Sequence, residues 1–353
     1  MQILVFGAGA IGSFLGYRLA RAGHDVTLIA RDQYARAVRE RGLQLYESGA
    51  DTESGFSPVY PEAAASVGSL PLDRRTWDLI ILTVKVYDAR SAAQALAPFI
   101  QAHVPLLVVQ NGVGGEDLVQ AEVPGVRLLS GVMTLSVSIM GPARVRLETT
   151  RGGINLASVT EGQSIALWAT LFEEAGLRTA VYPDYRALKW SKLLLNILAN
   201  AIPAILDMSP GAVFANPALF AVERAAFMEA VAVVRSLGLK PVGFPSYPVP
   251  LLVWAMEALP RTISRPLLKR LVASGRGDKR PSLHIDLASG RKGSEVLYLN
   301  GAVATHAEQL DIPAPVNRFL VDALMGILAD PDHWRRWRGQ PDNLLSALRR
   351  SGS

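Results

Sequence analysis

Gly7-Ala8-Gly9-Ala10-Ile11-Gly12 is the stretch that decides the fold. It matches G-x-G-x-x-G, follows the short apolar run Ile3–Phe6, and opens a helical pattern from Ile11 to Ala22. In that pattern Phe14, Leu15, Leu19 and Ala22 recur near helical spacing before Gly23 stops it. In such a strand–turn–helix unit Gly7 allows the tight turn, Gly9 lets the backbone approach a pyrophosphate, and Gly12 permits close packing of helix on strand. The helix start also presents free N–H groups and the positive end of its dipole to negative charge. Gly7, Ala8, Gly9, Ala10, Ile11 and Gly12 are therefore expected to bind a dinucleotide.

Outward from this motif, Val26–Ala30, Leu79–Val84 and Leu106–Val109 are each short and continuously apolar, the pattern of strands buried on both faces of a parallel sheet. They place an α/β Rossmann domain over residues 1–182, with the stretch from about 138 to 182 transitional: a strand at Val145–Leu147 and a helix at Gln163–Glu174. From Tyr185 the pattern turns helical, with runs at Tyr185–Leu206, Pro217–Leu237, Gly293–Leu310 and Pro315–Ala329, so residues 183–353 are expected to form an all-helical domain. A Pro-rich insertion at about 239–280, carrying Pro241, Pro245, Pro248, Pro250, Pro260 and Pro266, reads as a lid or interface segment.

The chain has 353 residues, 50% of them hydrophobic and 19% charged, enough apolar mass for two cores. It has no Cys, which removes disulfides, thiolate metal sites and a cysteine nucleophile; its five His show no HxxxH spacing, so no metal is expected. Met1 opens directly onto a strand pattern and no apolar stretch reaches membrane-spanning length, which together lead us to expect a cytoplasmic protein. The net charge of +5 suits anionic ligands, but the densest basic run, Arg335, Arg336 and Arg338, reads as a solvated helix face. Neither nucleic acid nor a membrane is an expected partner.

Which dinucleotide binds turns on the end of the second strand. Arg31 stands there, where an NAD enzyme would place a carboxylate for the ribose 2′-hydroxyl, and a guanidinium suits the 2′-phosphate of NADPH. Asp32, one position later, is the competing ribose ligand, with Arg31 then a surface residue. Lys85, in Thr83-Val84-Lys85, and Asn111, in Gln110-Asn111-Gly112-Val113-Gly114, follow later strands at the carboxyl edge where ligands bind. An amide can donate and accept, so Asn111 could touch cofactor and substrate together, or could instead be a turn residue serving its own backbone.

In the second domain Lys192, Asn196 and Asn200 are spaced i, i+4, i+8 within an apolar helix, which would line an ammonium and two carboxamides along one face. Buried carboxamides need partners, and a polar ligand would supply them. Reduction of a ketone leaves negative charge on oxygen, so a proton donor is required; Lys192 can serve, and Lys189 satisfies the same argument. Glu295, in Gly290-Arg291-Lys292-Gly293-Ser294-Glu295, either caps a helix start or lies near the lysine and keeps it protonated or bonds the product hydroxyl.

Together the GAGAIG motif, Thr83-Val84-Lys85, Gln110 to Gly114, the Lys192/Asn196/Asn200 helix, Pro281-Ser282, Ser294-Glu295 with Leu299-Asn300-Gly301, and Ile312 to Asn317 resemble the ketopantoate reductase (2-dehydropantoate 2-reductase) family in order and approximate spacing. The resemblance implies an amino-terminal Rossmann domain plus an all-helical carboxy-terminal domain of the 6-phosphogluconate-dehydrogenase-like kind, with substrate bound in the cleft between them. It also implies NADPH-dependent reduction of ketopantoate to pantoate in pantothenate and coenzyme A biosynthesis. Lys192, not Lys189, matches the proton donor; Asn196 and Asn200 match substrate ligands, Ser282 the ligand of its carboxylate, Asn111 a contact to substrate and nicotinamide, Arg31 the 2′-phosphate site, and Glu295 a carboxylate beside cofactor and lysine.

The sequence departs from the family pattern in the length of the Pro-rich insertion and in a Ser282-to-Glu295 spacing one residue longer. Pro210 stands where some members carry a substrate-contacting Asn, and Leu297 where an Asp is usual. These departures leave open a paralogous reductase of another 2-oxo acid or an imine, and, in a different class, an NADPH-binding redox sensor using the insertion and the Trp334/Trp337 tail as an interaction surface. Phe214, Phe220, Val253 and Trp254 exceed what one small helical core needs and point to a homodimer.

Overall fold

The computed structural model describes residues 1–47, 56–276, 280–288, 290 and 293–351; of residues 270–276 only the backbone is described. Residues 277–279 of the Pro-rich segment and Arg291 and Lys292 ahead of Glu295 lie outside the described residues. The chain divides into two compact units, Met1–Leu188 with Phe244–Tyr247, and Lys189–Gly243 with Pro248–Ser353.

The first unit alternates β1 (Gln2–Phe6), α1 (Ala10–Arg21), β2 (Asp25–Ile29), α2 (Asp32–Arg41), β3 (Gln44–Glu47), β4 (Glu62–Ala64), β5 (Leu79–Leu82), α3 (Ala89–Leu96), β6 (Pro105–Val109), α4 (Gly115–Glu122) and β7 (Arg127–Met133). It continues through β8 (Val137–Gly141), β9 (Arg144–Leu147), β10 (Ile154–Ser158), α5 (Ala166–Glu174) and β11 (Thr179–Tyr182). The large sheet runs β11-β10-β7-β6-β5-β1-β2-β4, and every pair in it is parallel except β7 with β10. From β4 to β7 this is the dinucleotide-binding order, which reverses at β1 and opens a crevice at the carboxyl ends of β1 and β5. β3, β9 and β8 form a separate small sheet, β3 parallel and β8 antiparallel to β9.

The continuous apolar strands follow from burial on both faces. In β5, Leu79 and Ile81 enter one core with Phe14 and Leu15 of α1, while Ile80 and Leu82 enter the other with Ala92, Ala93 and Leu96 of α3. β1 divides in the same way, Ile3 and Val5 against Leu4. Each such side chain contributes about 1.5–3 kcal/mol through burial, so a polar residue at any of them would be costly on either face.

Described by itself, the second unit is helical: the end of α6 (Tyr185–Ile197), α7 (Ala201–Leu206), α8 (Pro210–Ala215), α9 (Pro217–Ser236), α10 (Val249–Ala258), α11 (Arg261–Arg276), α12 (Ser282–Ala288), α13 (Asn300–Gln309), α14 (Pro315–Ala329) and α15 (Pro341–Ser351). Asn216 and Pro217 start α9 as cap and first helical residue, the amide oxygen accepting from the N–H groups of Ala218 and Leu219. Two expected single helices are in fact interrupted. Tyr185–Leu206 breaks at residues 198–200, and Gly293–Leu310 divides into a 3₁₀ turn, Glu295–Tyr298, and α13. Within the Pro-rich segment α10 and α11 are both helical.

Several other expectations are corrected. Phe214, Phe220 and Val253 are buried in the unit's own core, with Phe214 and Phe220 edge to face at 5.5 Å, and of that set only Trp254 is exposed. Trp337 is buried, and Trp334 packs edge to face on His284 while its indole N–H donates to the Ile205 carbonyl (2.9 Å), so the tail is part of the unit. Arg335, Arg336 and Arg338 are all exposed, as expected of a solvated basic run, but Arg338 is also engaged: its Nε donates to Asp207 at 2.9 Å, and its guanidinium lies over Trp334.

Asp207, the left-handed residue ending α7, also receives Arg280 and His284, so one carboxylate gathers α7, α12 and the tail. Burial by itself would raise its pKa, but the hydrogen bonds from His284, Arg338 and Arg280 outweigh it and bring the carboxyl from 3.8 to about 2. A folded pKa below the unfolded one gives stability that is present above about pH 4 and is lost as pH falls through about 2. Asp207→Asn is expected to destabilise the protein by about 1–3 kcal/mol at neutral pH. The gap to wild type in denaturant midpoint should close between pH 4 and pH 2; a gap independent of pH would contradict this account.

Candidate active site

At the carboxyl edge of the large sheet, three loops are bound to one another. The N–H groups of Gly7 and Ala8 both donate to the Ile29 carbonyl (3.0 Å each), tying the glycine loop to the end of β2. Thr83 Oγ1 donates to the Gly7 carbonyl (2.7 Å) from the end of β5, and Gln110 Nε2 donates to the Val84 carbonyl (2.8 Å) from the end of β6. Lys85 and Asn111, both half-buried, therefore stand on loops whose backbones are fixed relative to Gly7.

The glycine positions meet the demands of a dinucleotide. Gly7 has φ +109°, and a Cβ there would lie 2.8 Å from Val84 N; a Cβ on Gly12 would lie 2.2 Å from the Gly7 carbonyl oxygen and 2.4 Å from Thr83 Oγ1. At Gly9 a Cβ would meet nothing within 4 Å, and no side chain caps α1 at this residue. Crowding explains two of the glycines and leaves the third facing open space at a helix start, the place a pyrophosphate requires. Arg31 is exposed at the start of α2 and has no ion-pair partner among the described residues, whereas Asp32 pairs with Arg36 at 3.1 Å. A nearby hydrogen bond between Ser13 and Tyr34 (2.7 Å) joins α1 to α2.

In the second unit the expected alignment of Lys192, Asn196 and Asn200 along one helix face is corrected. α6 ends at Ile197, Ala199 takes φ +52°, and Asn200 becomes the residue that starts α7. A left-handed alanine costs roughly 1–3 kcal/mol and persists only where its surroundings hold it. The break turns the Asn200 side chain back, so that its Nδ2 donates to the Asn196 carbonyl (3.0 Å) and its Oδ1 accepts from Leu283 N–H (3.3 Å) at the start of α12. Ser282, exposed at that helix start, is thereby brought next to Asn200 by a contact that sequence spacing did not indicate.

Between Lys189 and Asn200 only Lys192, Leu195 and Asn196 are half-exposed, and the rest are buried. Lys189, the other donor candidate, is 3% exposed. Glu295 is 2% exposed and begins the 3₁₀ turn that Ser294 caps by accepting from Val296 N–H (3.1 Å).

Structure also assigns roles that sequence reading missed. Thr83 and Gln110, which the motifs contain without marking them out, hold the loops that carry Gly7, Lys85 and Asn111. Glu229 of α9 accepts from Val316 N–H and Asn317 N–H (2.9 Å each) and caps α14; burial pushes its carboxyl up despite those bonds. Asn317 accepts from Asn300 Nδ2 (2.9 Å), so two family-motif asparagines serve to join helices. Glu223 accepts from Ala199 N–H at 2.9 Å. Nothing in the sequence marks either glutamate, since each acts on a segment far along the chain.

Two family models match the chain, "Ketopantoate reductase PanE/ApbA" over residues 3–161 and its C-terminal counterpart over residues 184–327. The chain belongs to the ketopantoate reductase family. It is 29% identical to the 2-dehydropantoate 2-reductase of Pyrococcus horikoshii, over 92% of this chain and 96% of the relative. Among solved structures it is similar to a PanE/ApbA family ketopantoate reductase from Ralstonia eutropha JMP134, at 30% identity and TM-score 0.77, covering 94% of this chain and all of that one. It shares its fold with D-mandelate dehydrogenase solved with NADH and anilino(oxo)acetate, at 21% identity and TM-score 0.78, covering 94% and 99% of the two chains. The family places the protein among NAD(P)-dependent oxidoreductases acting on CH–OH groups.

The crowding at Gly12 generates a direct test. Gly12→Ala puts a methyl group against the Gly7 carbonyl and must displace α1 from the loop. It is expected to abolish measurable dinucleotide binding in a fluorescence titration, while Gly9→Ala, which meets no protein atom, should fold normally and weaken binding only through the ligand.

Proposed function

We propose that this protein reduces 2-dehydropantoate to pantoate with NADPH, supplying pantothenate and coenzyme A synthesis, and that Lys192 is the proton donor. The observation that carries this reading is the half-exposed stripe on α6. In a segment whose one other half-exposed side chain is Leu195, an ammonium and, one turn on, a carboxamide are left accessible on one helix face. Lys189 meets the same chemical requirement, but its burial argues against contact with a substrate.

NADPH, when bound, supplies the hydride. Gly7, Ala8, Gly9, Ala10, Ile11 and Gly12 hold its pyrophosphate, Arg31 pairs with the 2′-phosphate, and Lys85 and Asn111 complete the cofactor side from neighbouring loops. Lys192 polarises the substrate carbonyl and gives a proton from Nζ to the oxygen as charge develops there. Asn196 and Asn200 orient the substrate, with Asn200 using the N–H not committed to the Asn196 carbonyl. Ser282 takes the carboxylate, and Glu295, a buried carboxylate, favours the protonated lysine or bonds the product hydroxyl.

A second reading, reduction of a more apolar 2-oxo acid or an imine on the same scaffold, is favoured by two residues. Pro210 is buried as the first residue of α8, and Leu297, in the 3₁₀ turn after Glu295, is 44% exposed. Pro210 cannot offer the side-chain contact of the Asn that some members carry there, and Leu297 is apolar where an Asp is usual. Loss of nicotinamide absorbance across a panel of 2-oxo acids distinguishes the readings: consumption with ketopantoate supports the first, and consumption only with others the second.

Lys192→Ala is expected to lower kcat by about two to four orders of magnitude with NADPH affinity unchanged; near-normal turnover would exclude it as donor. Arg31→Ala should weaken NADPH by roughly ten- to a hundredfold while leaving NADH affinity within about twofold. Equal losses for the two cofactors would remove the phosphate assignment.

A further inference from the structure

We propose that Glu223 is a positioning residue for the substrate, holding the left-handed turn at Ala199 and through it the carboxamides of Asn196 and Asn200. The inference rests on the reading above, in which those two side chains bind the 2-oxo acid.

Leu198, Ala199 and Asn200 are all buried, so the backbone polar groups where α6 stops depend on protein partners rather than on water. Ala199 has φ +52°, a conformation an alanine adopts only when held there. Glu223 of α9 supplies the hold: its Oε2 accepts from Ala199 N–H at 2.9 Å, and the residue is 2% exposed. A carboxyl group is expensive to bury unless it is hydrogen-bonded, which marks this contact as more than filling of the core.

The turn decides where the carboxamides point. Had α6 continued, Asn200 would lie a full helical turn beyond Asn196 on the same face. With the turn in place, Asn200 Nδ2 reaches back to the Asn196 carbonyl and its Oδ1 takes Leu283 N–H, beside Ser282. One carboxylate thus sets the relative placement of Asn196, Asn200 and the start of α12. If Glu223 is removed, Ala199 relaxes toward ordinary negative φ and Asn200 leaves that arrangement.

Glu223→Ala is expected to raise the KM for the 2-oxo acid at least about tenfold, with a smaller fall in kcat and NADPH affinity within about twofold. Glu223→Gln, whose amide oxygen can accept the same N–H, should restore most of the KM. Adding Ala199→Gly to Glu223→Ala should recover part of it, since glycine takes positive φ without steric cost. Amide exchange at Ala199 should quicken in Glu223→Ala whatever the activity. Should that variant fail to fold, Glu223→Asp, one methylene shorter, should show the same KM split in smaller measure.

An unchanged substrate KM, or equal losses for substrate and NADPH, would overturn the proposal, as would unaltered exchange at Ala199. Absence of turnover by the wild type with every 2-oxo acid would instead remove the reading on which the substrate role rests, while the exchange measurement would still report whether the carboxylate holds the turn.

Discussion

The carbonyl oxygen of Gly7 lies where a side chain on residue 12 would have to be, and the placement of α1 depends on that conflict being avoided. Because Gly12 has no Cβ, the helix starts immediately after β1 and its first turn sits against the loop. The same carbonyl accepts from Thr83, and through Val84 and Gln110 the constraint passes to the ends of β5 and β6. A doubly wound sheet places its ligand crevice where the strand order reverses, and here the reversal, the glycine loop and the cross-linked loops coincide.

The helical unit is organised differently, by polar side chains at its joints. Glu223 takes the N–H at the α6–α7 break, Asp207 gathers Arg280, His284 and Arg338 at the end of α7, and Glu229 caps α14. Apolar burial specifies helix faces but is tolerant of small rotations and slides, whereas a carboxyl group with defined donors is not. Such joints are what a unit of short helices needs if it is to hold carboxamides in fixed relation.

Much of this was legible beforehand. β1, α1 and β2 follow from local apolar runs and from glycines whose role is local, and α14 runs from Pro315 to Ala329 as its periodicity predicts. The Lys192–Asn196 pair needs only helical geometry across one turn. Asn200 is displaced from the expected face because extending an i, i+4 pattern assumes the helix continues, whereas Pro203 in the same stretch cannot bond to the Ala199 carbonyl in an unbroken helix, and Glu223 on another helix takes the Ala199 N–H at the break. Phe214 and Phe220 were assigned to an interface for a related reason: apolar excess does not reveal which neighbours are available to bury it.

The sequence by itself determined the Rossmann unit, its dinucleotide motif, the helical character of the rest and the family, since each rests on short-range pattern or on motif order along the chain. Only the tertiary structure decided which way Asn200 turns, that Ser282 stands beside it, that Trp334 packs into the unit and that Arg338 is drawn to Asp207. Those outcomes are contacts between segments distant along the chain. A hydrogen bond between such segments forms only when the packing of everything between them brings donor and acceptor within about 3 Å, and no local pattern carries that information.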